Sequence, residues 1–199
     1  MTILFIKDIT HFFKIYPEAG PVFLAVLLLA YLLRNIKVET LNSNWNNLID
    51  DFSFSTKEFY SLLSDKIKEK EIEGIQIESV FHSQSTLISA KREYLRIEWR
   101  NMHFDVCAAP FAKGYFISWW NVTKRAAFEN IIAAFPLFGE KLRKLLYPET
   151  YYKADTASMF YSTIHQCVLD VIEDITRESG VRKLTEDEKK PILKDPFNR

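Results

Sequence analysis

The chain has 199 residues, 48% of them apolar, and balances 26 Lys+Arg against 26 Asp+Glu. This suits one globular domain with an appendage better than two full domains, and the neutral balance gives no global pull toward nucleic acid, which is not expected as a partner. Aromatic residues at 15% with only 5 glycines exclude a disordered or fibrous chain.

Residues 19–33 read AGPVFLAVLLLAYLL, without a charge. The run is short of the ~20 residues that cross a bilayer. Extension to residues 16–36 supplies the length, with Arg34 and Lys37 placed to snorkel and Tyr16 and Tyr31 near the interfaces. A single marginal span is preferred over two rivals, a buried core helix and a cleaved signal peptide. No small-x-small site follows the run, which opposes cleavage. Upstream, residues 3–16 set Ile6, Ile9 and Phe13 against Lys7, Asp8 and Lys14, as an interfacial amphipathic helix does. Residues 1–38 are therefore expected to form a membrane anchor, an interfacial helix plus a single span. Basic residues flank both ends and do not orient it. Cys107 and Cys167 read as free buried thiols of a reducing compartment. With the basic segment described below, they place the C-terminal domain in the cytosol, on an inner (cytoplasmic) membrane.

Residues 39–53, polar and rich in Asn and Asp, read as a linker or a loosely packed helix. A compact α+β domain is expected over residues 54–180. Ser55 can cap a helix, Glu58 completes a capping box, and Phe54 and Phe59 stand at the positions of a hydrophobic staple. Phe59, Leu62, Leu63 and Ile67 fall on one face, and Gly74 ends the helix or the turn after it.

Period-two alternation then predicts an antiparallel meander of about four strands, at residues 75–81, 94–100, 103–109 and 115–122, with a turn at 82–86. The last two strands are apolar on both faces, which predicts a sheet covered on both sides there. Asp105, Pro110, Lys113 and Gly114 exclude a second membrane span.

His103, Asp105 and Cys107 share one strand face, so a nucleophile, a base and an orienting carboxylate are conceivable. Side chains two apart on a strand lie ~6.5–7 Å apart, too far for a hydrogen-bonded pair. A core cysteine beside a polar rim is the preferred reading. If a ligand binds, Arg96, Glu98, Arg100, His103 and Asp105 form the candidate ligand-binding rim. No Gly-rich phosphate loop, H-E-x-x-H or C-x-x-C occurs. No catalytic residue, metal site or cofactor is assigned.

Between residues 113 and 153, Lys124, Arg125, Lys141, Arg143 and Lys144 interleave with aromatic and aliphatic residues. Two short helices packed on the sheet account for this segment; contact with the anionic cytosolic leaflet is the functional reading. Asp155 can cap a helix over residues 156–176 that lays Phe160, Ile164, Val168, Val171, Ile172 and Ile175 on the sheet, with Gly180 at its end. Asp170, Glu173, Asp174 and Glu178 read as a solvated acidic face, and His165 as a satisfied, half-buried residue. Residues 181–199 are a mixed-charge tail.

The phrase FDVCAAPF at residues 104–111, followed by GYFISWW at 114–120, and the later YYKADTASMF at 151–160 resemble recurring signatures of an uncharacterised bacterial family with an N-terminal membrane segment. The resemblance implies a cytosolic α+β domain and carries over no site residue or activity. The resulting expectation is a membrane-tethered, non-catalytic interaction or effector module that binds a protein, a second copy of itself or a small ligand. Its layout resembles membrane effectors of bacterial defence and nucleotide signalling. The alternative is a membrane-bound hydrolase using Cys107 with His103 or His165.

Overall fold

The computed structural model describes residues 36–83, 91–127 and 139–193, together with Pro21, Leu28 and Glu129. The expected interfacial helix and span, the turn beyond residue 83, the apolar stretch at 131–138 and the end of the tail lie outside the described residues. Among the described residues no helix is long and apolar enough to cross a membrane.

The element order is β1 (Lys37–Ile49), α1 (Thr56–Lys68), β2 (Gln76–Ser83), β3 (Lys91–Trp99), β4 (Met102–Phe111), β5 (Gly114–Ala126), α2 (Gly139–Leu146), α3 (Tyr151–Glu178) and β6 (Ile192–Leu193). The strands form one sheet in the order β2-β3-β4-β5-β1-β6. The chain divides into two compact units, Met1–Val38 with Arg125–Pro148, and Glu39–Lys124 with Glu149–Arg199. Within the first, the Ala127 amide donates to the Ile36 carbonyl at 2.8 Å, and α2 exposes Leu145 and Leu146.

The expected meander is present as β2 to β5, antiparallel throughout. The sheet is wider than four strands because residues 39–49, expected as a linker, are strand. Ser43, Trp45 and Ile49 of β1 are buried and Asn46 and Leu48 exposed, a period-two pattern hidden among asparagines that are rare in strands. The polar groups find partners in the sheet: Asn42 donates to Thr123 Oγ1 at 2.6 Å, and Asn121 donates to Ser43 Oγ at 3.3 Å. Where β1 ends, Gly114 opens β5; a Cβ there would lie 2.7 Å from the Ile49 carbonyl oxygen, so the close approach requires glycine. The two-residue turn before it puts Ala112 at φ 52°, and the β3–β4 turn puts Arg100 at φ 57°.

Helices α1 and α3 cover one face of the sheet. Ser55 caps α1 by accepting from the Glu58 amide at 3.4 Å. Phe54 and Phe59 both pack on Tyr115, at 6.3 and 6.2 Å between ring centroids. The buried stripe of α1 is Phe59, Tyr60, Leu63 and Ile67; Leu62, expected in it, is exposed, and Tyr60 takes the inward place with its hydroxyl bonded to the Glu93 carbonyl and the Ala108 amide. Helix α3 starts earlier than Asp155 predicts. Thr150 is the cap, accepting from the Lys153 amide at 3.3 Å, and the added first turn carries exposed Tyr151 and Tyr152. At its other end Gly180 at φ 69° completes a Schellman turn, with the Val181 amide on the Thr176 carbonyl and the Gly180 amide on the Arg177 carbonyl. Phe104 of β4 sits at the centre of the core, 5.1 Å from Trp119 and 5.6 Å from Phe160 between ring centroids.

A charged cluster on the outer sheet face as candidate functional site

Because Leu95, Ile97, Phe104, Val106 and Ala108 point into the helix-covered core, alternation sends Arg96, Glu98, His103, Asp105 and Cys107 to the other face. Cross-strand register sets Arg96 opposite Asp105 and Glu98 opposite His103. Arg96 grips Asp105 with two parallel hydrogen bonds, Nε to Oδ1 and Nη2 to Oδ2, each 2.7 Å. This is the bidentate fork that guanidinium geometry favours. Both side chains are shielded, at 15% and 10% exposure. His82 of β2, 48% exposed, places Nε2 at 3.0 Å from Asp105 Oδ2, so Nε2–H donates to the carboxylate, and its ring meets Tyr94 edge-on at 5.1 Å. Burial alone would push the Asp105 carboxyl up; the hydrogen bonds and charge of Arg96, with the two histidines, outweigh it and hold Asp105 below the usual carboxylate range.

His103 is not a rim residue. Its side chain is 0% exposed, and neither ring nitrogen has a hydrogen-bond partner. Two carboxylates stand just beyond hydrogen-bond reach of Nε2, Asp105 Oδ2 at 3.8 Å and Glu39 Oε1 of β1 at 3.9 Å. Burial pulls the His103 pKa below its ordinary value, with Asp105 working against that shift.

The other expected rim residues diverge. Glu98 accepts from Lys124 Nζ at 2.6 Å, so Lys124, expected at the membrane surface, is paired across the sheet. Arg100 lies in the β3–β4 turn with its guanidinium carbon 4.4 Å from the centre of the Trp99 ring, away from the Arg96–Asp105 pair's own contacts. Of the remaining basic residues, Arg125 ends β5 half-buried, Arg143 is half-buried on α2, and Lys141 and Lys144 are exposed on the same helix. His82 and Glu39 complete the cluster; neither belongs to the expected rim, since residues 82–86 read as a turn and residues 39–53 as a linker. The signal for His82 was there: Val80 and His82 continue the alternation of β2.

Cys107 is 1% exposed, and burial pushes its thiol up despite the neighbouring Arg92 guanidinium. His165, on α3, accepts from Trp119 Nε1–H through Nδ1 at 3.1 Å and donates from Nε2 to the Lys189 carbonyl at 2.9 Å, so its ring is committed on both sides. Among the described residues no group of three or more His, Cys, Asp or Glu is arranged to hold a metal ion. The acidic face of α3 is engaged in ion pairs: Asp174 with Lys66 at 2.7 Å and Arg177 at 2.8 Å, and Glu173 with Lys183.

No family model and no curated protein matches the chain. A solved structure, TTHA0849 from Thermus thermophilus, is similar over 67% of this chain and 98% of its own, at 17% identity with a TM-score of 0.24.

Proposed function

We propose that the chain is a membrane-tethered, non-catalytic interaction or effector module whose cytosolic α+β domain binds a protein, a second copy or a small ligand, in a setting such as bacterial defence or signalling. The observation that carries this reading is the contrast on one sheet face between a fixed charged network and a silent thiol. Arg96, Asp105 and half-exposed His82 are held by mutual hydrogen bonds, as recognition groups are when their geometry is set before a partner arrives. Cys107 beside them is buried with its thiol pushed up, the opposite of an activated nucleophile. The tether is inferred from the uncharged run at residues 19–33, and contact with anionic headgroups from exposed Lys141 and Lys144.

Two measurements on the full chain test the reading. Reconstituted in vesicles, it is expected to resist alkaline extraction, and Leu27→Asp in the apolar run is expected to release it. In the folded protein, Cys107 is expected to react with iodoacetamide at least about 100-fold more slowly than in the urea-unfolded chain. Rapid labelling that follows a low thiol pKa would replace the binding module with a cysteine hydrolase. Extraction of the unaltered chain at high pH would remove the tether.

A further inference from the structure

His103 stands out in the cluster because a fully buried polar ring with two unpartnered nitrogens is costly wherever it occurs. The groups facing it come from every neighbouring strand. Arg96 and Glu98 face it from β3, Asp105 from its own strand, Lys124 from β5 and Glu39 from β1, while His82 of β2 shares Asp105 Oδ2. Lys124 is neutralised by Glu98 at 2.6 Å and Arg96 by Asp105 at 2.7 Å. Glu39 is the remaining charge of the set, 54% exposed, with its Oε1 3.9 Å from His103 Nε2. A neutral imidazole offers this carboxylate at most one N–H and no charge. An imidazolium would add a charge, and a movement of about 1 Å by the half-exposed glutamate would turn its 3.9 Å approach to Nε2 into a charge-assisted hydrogen bond, with Asp105 Oδ2 adding attraction from 3.8 Å.

We infer that Glu39 and His103 form a proton-operated latch, in which charging His103 draws the Glu39 carboxylate over β5 and fastens the beginning of β1 to β4. Strand order supplies the mechanical meaning, since β5 lies between β4 and β1 and the latch crosses it. Glu39 is also the first residue of its compact unit, directly after Val38 of the other, so the latch acts where the chain enters the sheet-bearing unit. The inference is independent of the binding reading and would stand if no partner touched the cluster.

The test is amide hydrogen exchange on the full chain in detergent micelles at pH 7.5 and 5.0, corrected for intrinsic rates. The readout is the protection of residues 39–43 relative to residues 94–98 of β3. Dividing by β3 removes any change in global stability. This ratio is expected to rise at least about threefold at pH 5.0 in the unaltered chain and in His82→Gln, and to stay flat in Glu39→Gln and in His103→Gln. Glu39→Gln changes a half-exposed group and keeps the test decisive if His103→Gln does not fold. A flat or falling ratio in the unaltered chain, an undiminished rise in Glu39→Gln, or loss of the rise in His82→Gln would each overturn the latch.

Discussion

At the scale of the single residue, the Arg96–Asp105 pair sets the hardest constraint on the outer face. Asp105→Asn keeps the shape and removes the charge, which leaves a mostly buried guanidinium without its counter-ion. Breaking a buried pair from one side costs about 3 kcal/mol or more, because the surviving charge stays desolvated. Urea unfolding at pH 7 is expected to show that loss, while Arg96→Lys, which keeps charge but not the fork, is expected to lose less. Alternation alone was enough to nominate Arg96, His103 and Asp105 together, since strand geometry fixes which side chains share a face. It could not tell rim from interior, so His103 was expected at an edge and lies fully buried. Nor could it join partners distant in sequence: Glu39 and His103 meet only because β1 inserts beside β5.

At the scale of the element, the β4–β5 turn contains two adjacent tests of opposite sign. Ala112 holds φ 52° at a position where an L side chain is strained, so Ala112→Gly is expected to stabilise by about 0.5–1 kcal/mol. Two residues on, Gly114→Ala would drive a Cβ to 2.7 Å from the Ile49 backbone oxygen and is expected to cost about 1–3 kcal/mol by pushing β1 from β5. Thermal melts of the two variants should therefore shift in opposite directions. The neighbouring elements also show what local pattern can and cannot convey. Strands β2 to β5 and the Ser55 cap were legible because alternation and capping chemistry act within a few residues. Strand β1 was not, because Asn42, Asn44, Asn46 and Asn47 are poor strand formers in isolation, and part of what holds them is distant: Asn42 bonds Thr123, and Ser43 between them bonds Asn121. The true start of α3 was missed because Asp155 and Thr150 are both good caps by composition, and only Thr150 is bonded as one.

At the scale of the whole molecule, one buried and one half-buried histidine and one held carboxylate predict the shape of the stability curve against pH. His103 and His165 both have pKa values drawn below their ordinary value, chiefly by burial. The unfolded chain therefore takes up their protons first as pH falls. The stability that they contribute is complete above the unfolded value, about 6.5, and is lost as pH drops from there toward the folded values, at up to about 1.4 kcal/mol per pH unit for each ring. Asp105 is also held below its ordinary range, by Arg96, so its share is complete above about 4 and is lost only below that. Denaturant midpoints from pH 8 to pH 3 are thus expected to be flat to about pH 6.5, then to fall, and to fall again below about pH 4. His165→Gln should make the first fall shallower, though it disturbs the Trp119 and Lys189 bonds and lowers the whole curve. A curve that stays level between pH 6.5 and 5 would mean that both rings charge as easily folded as unfolded, against the direction in which burial moves them.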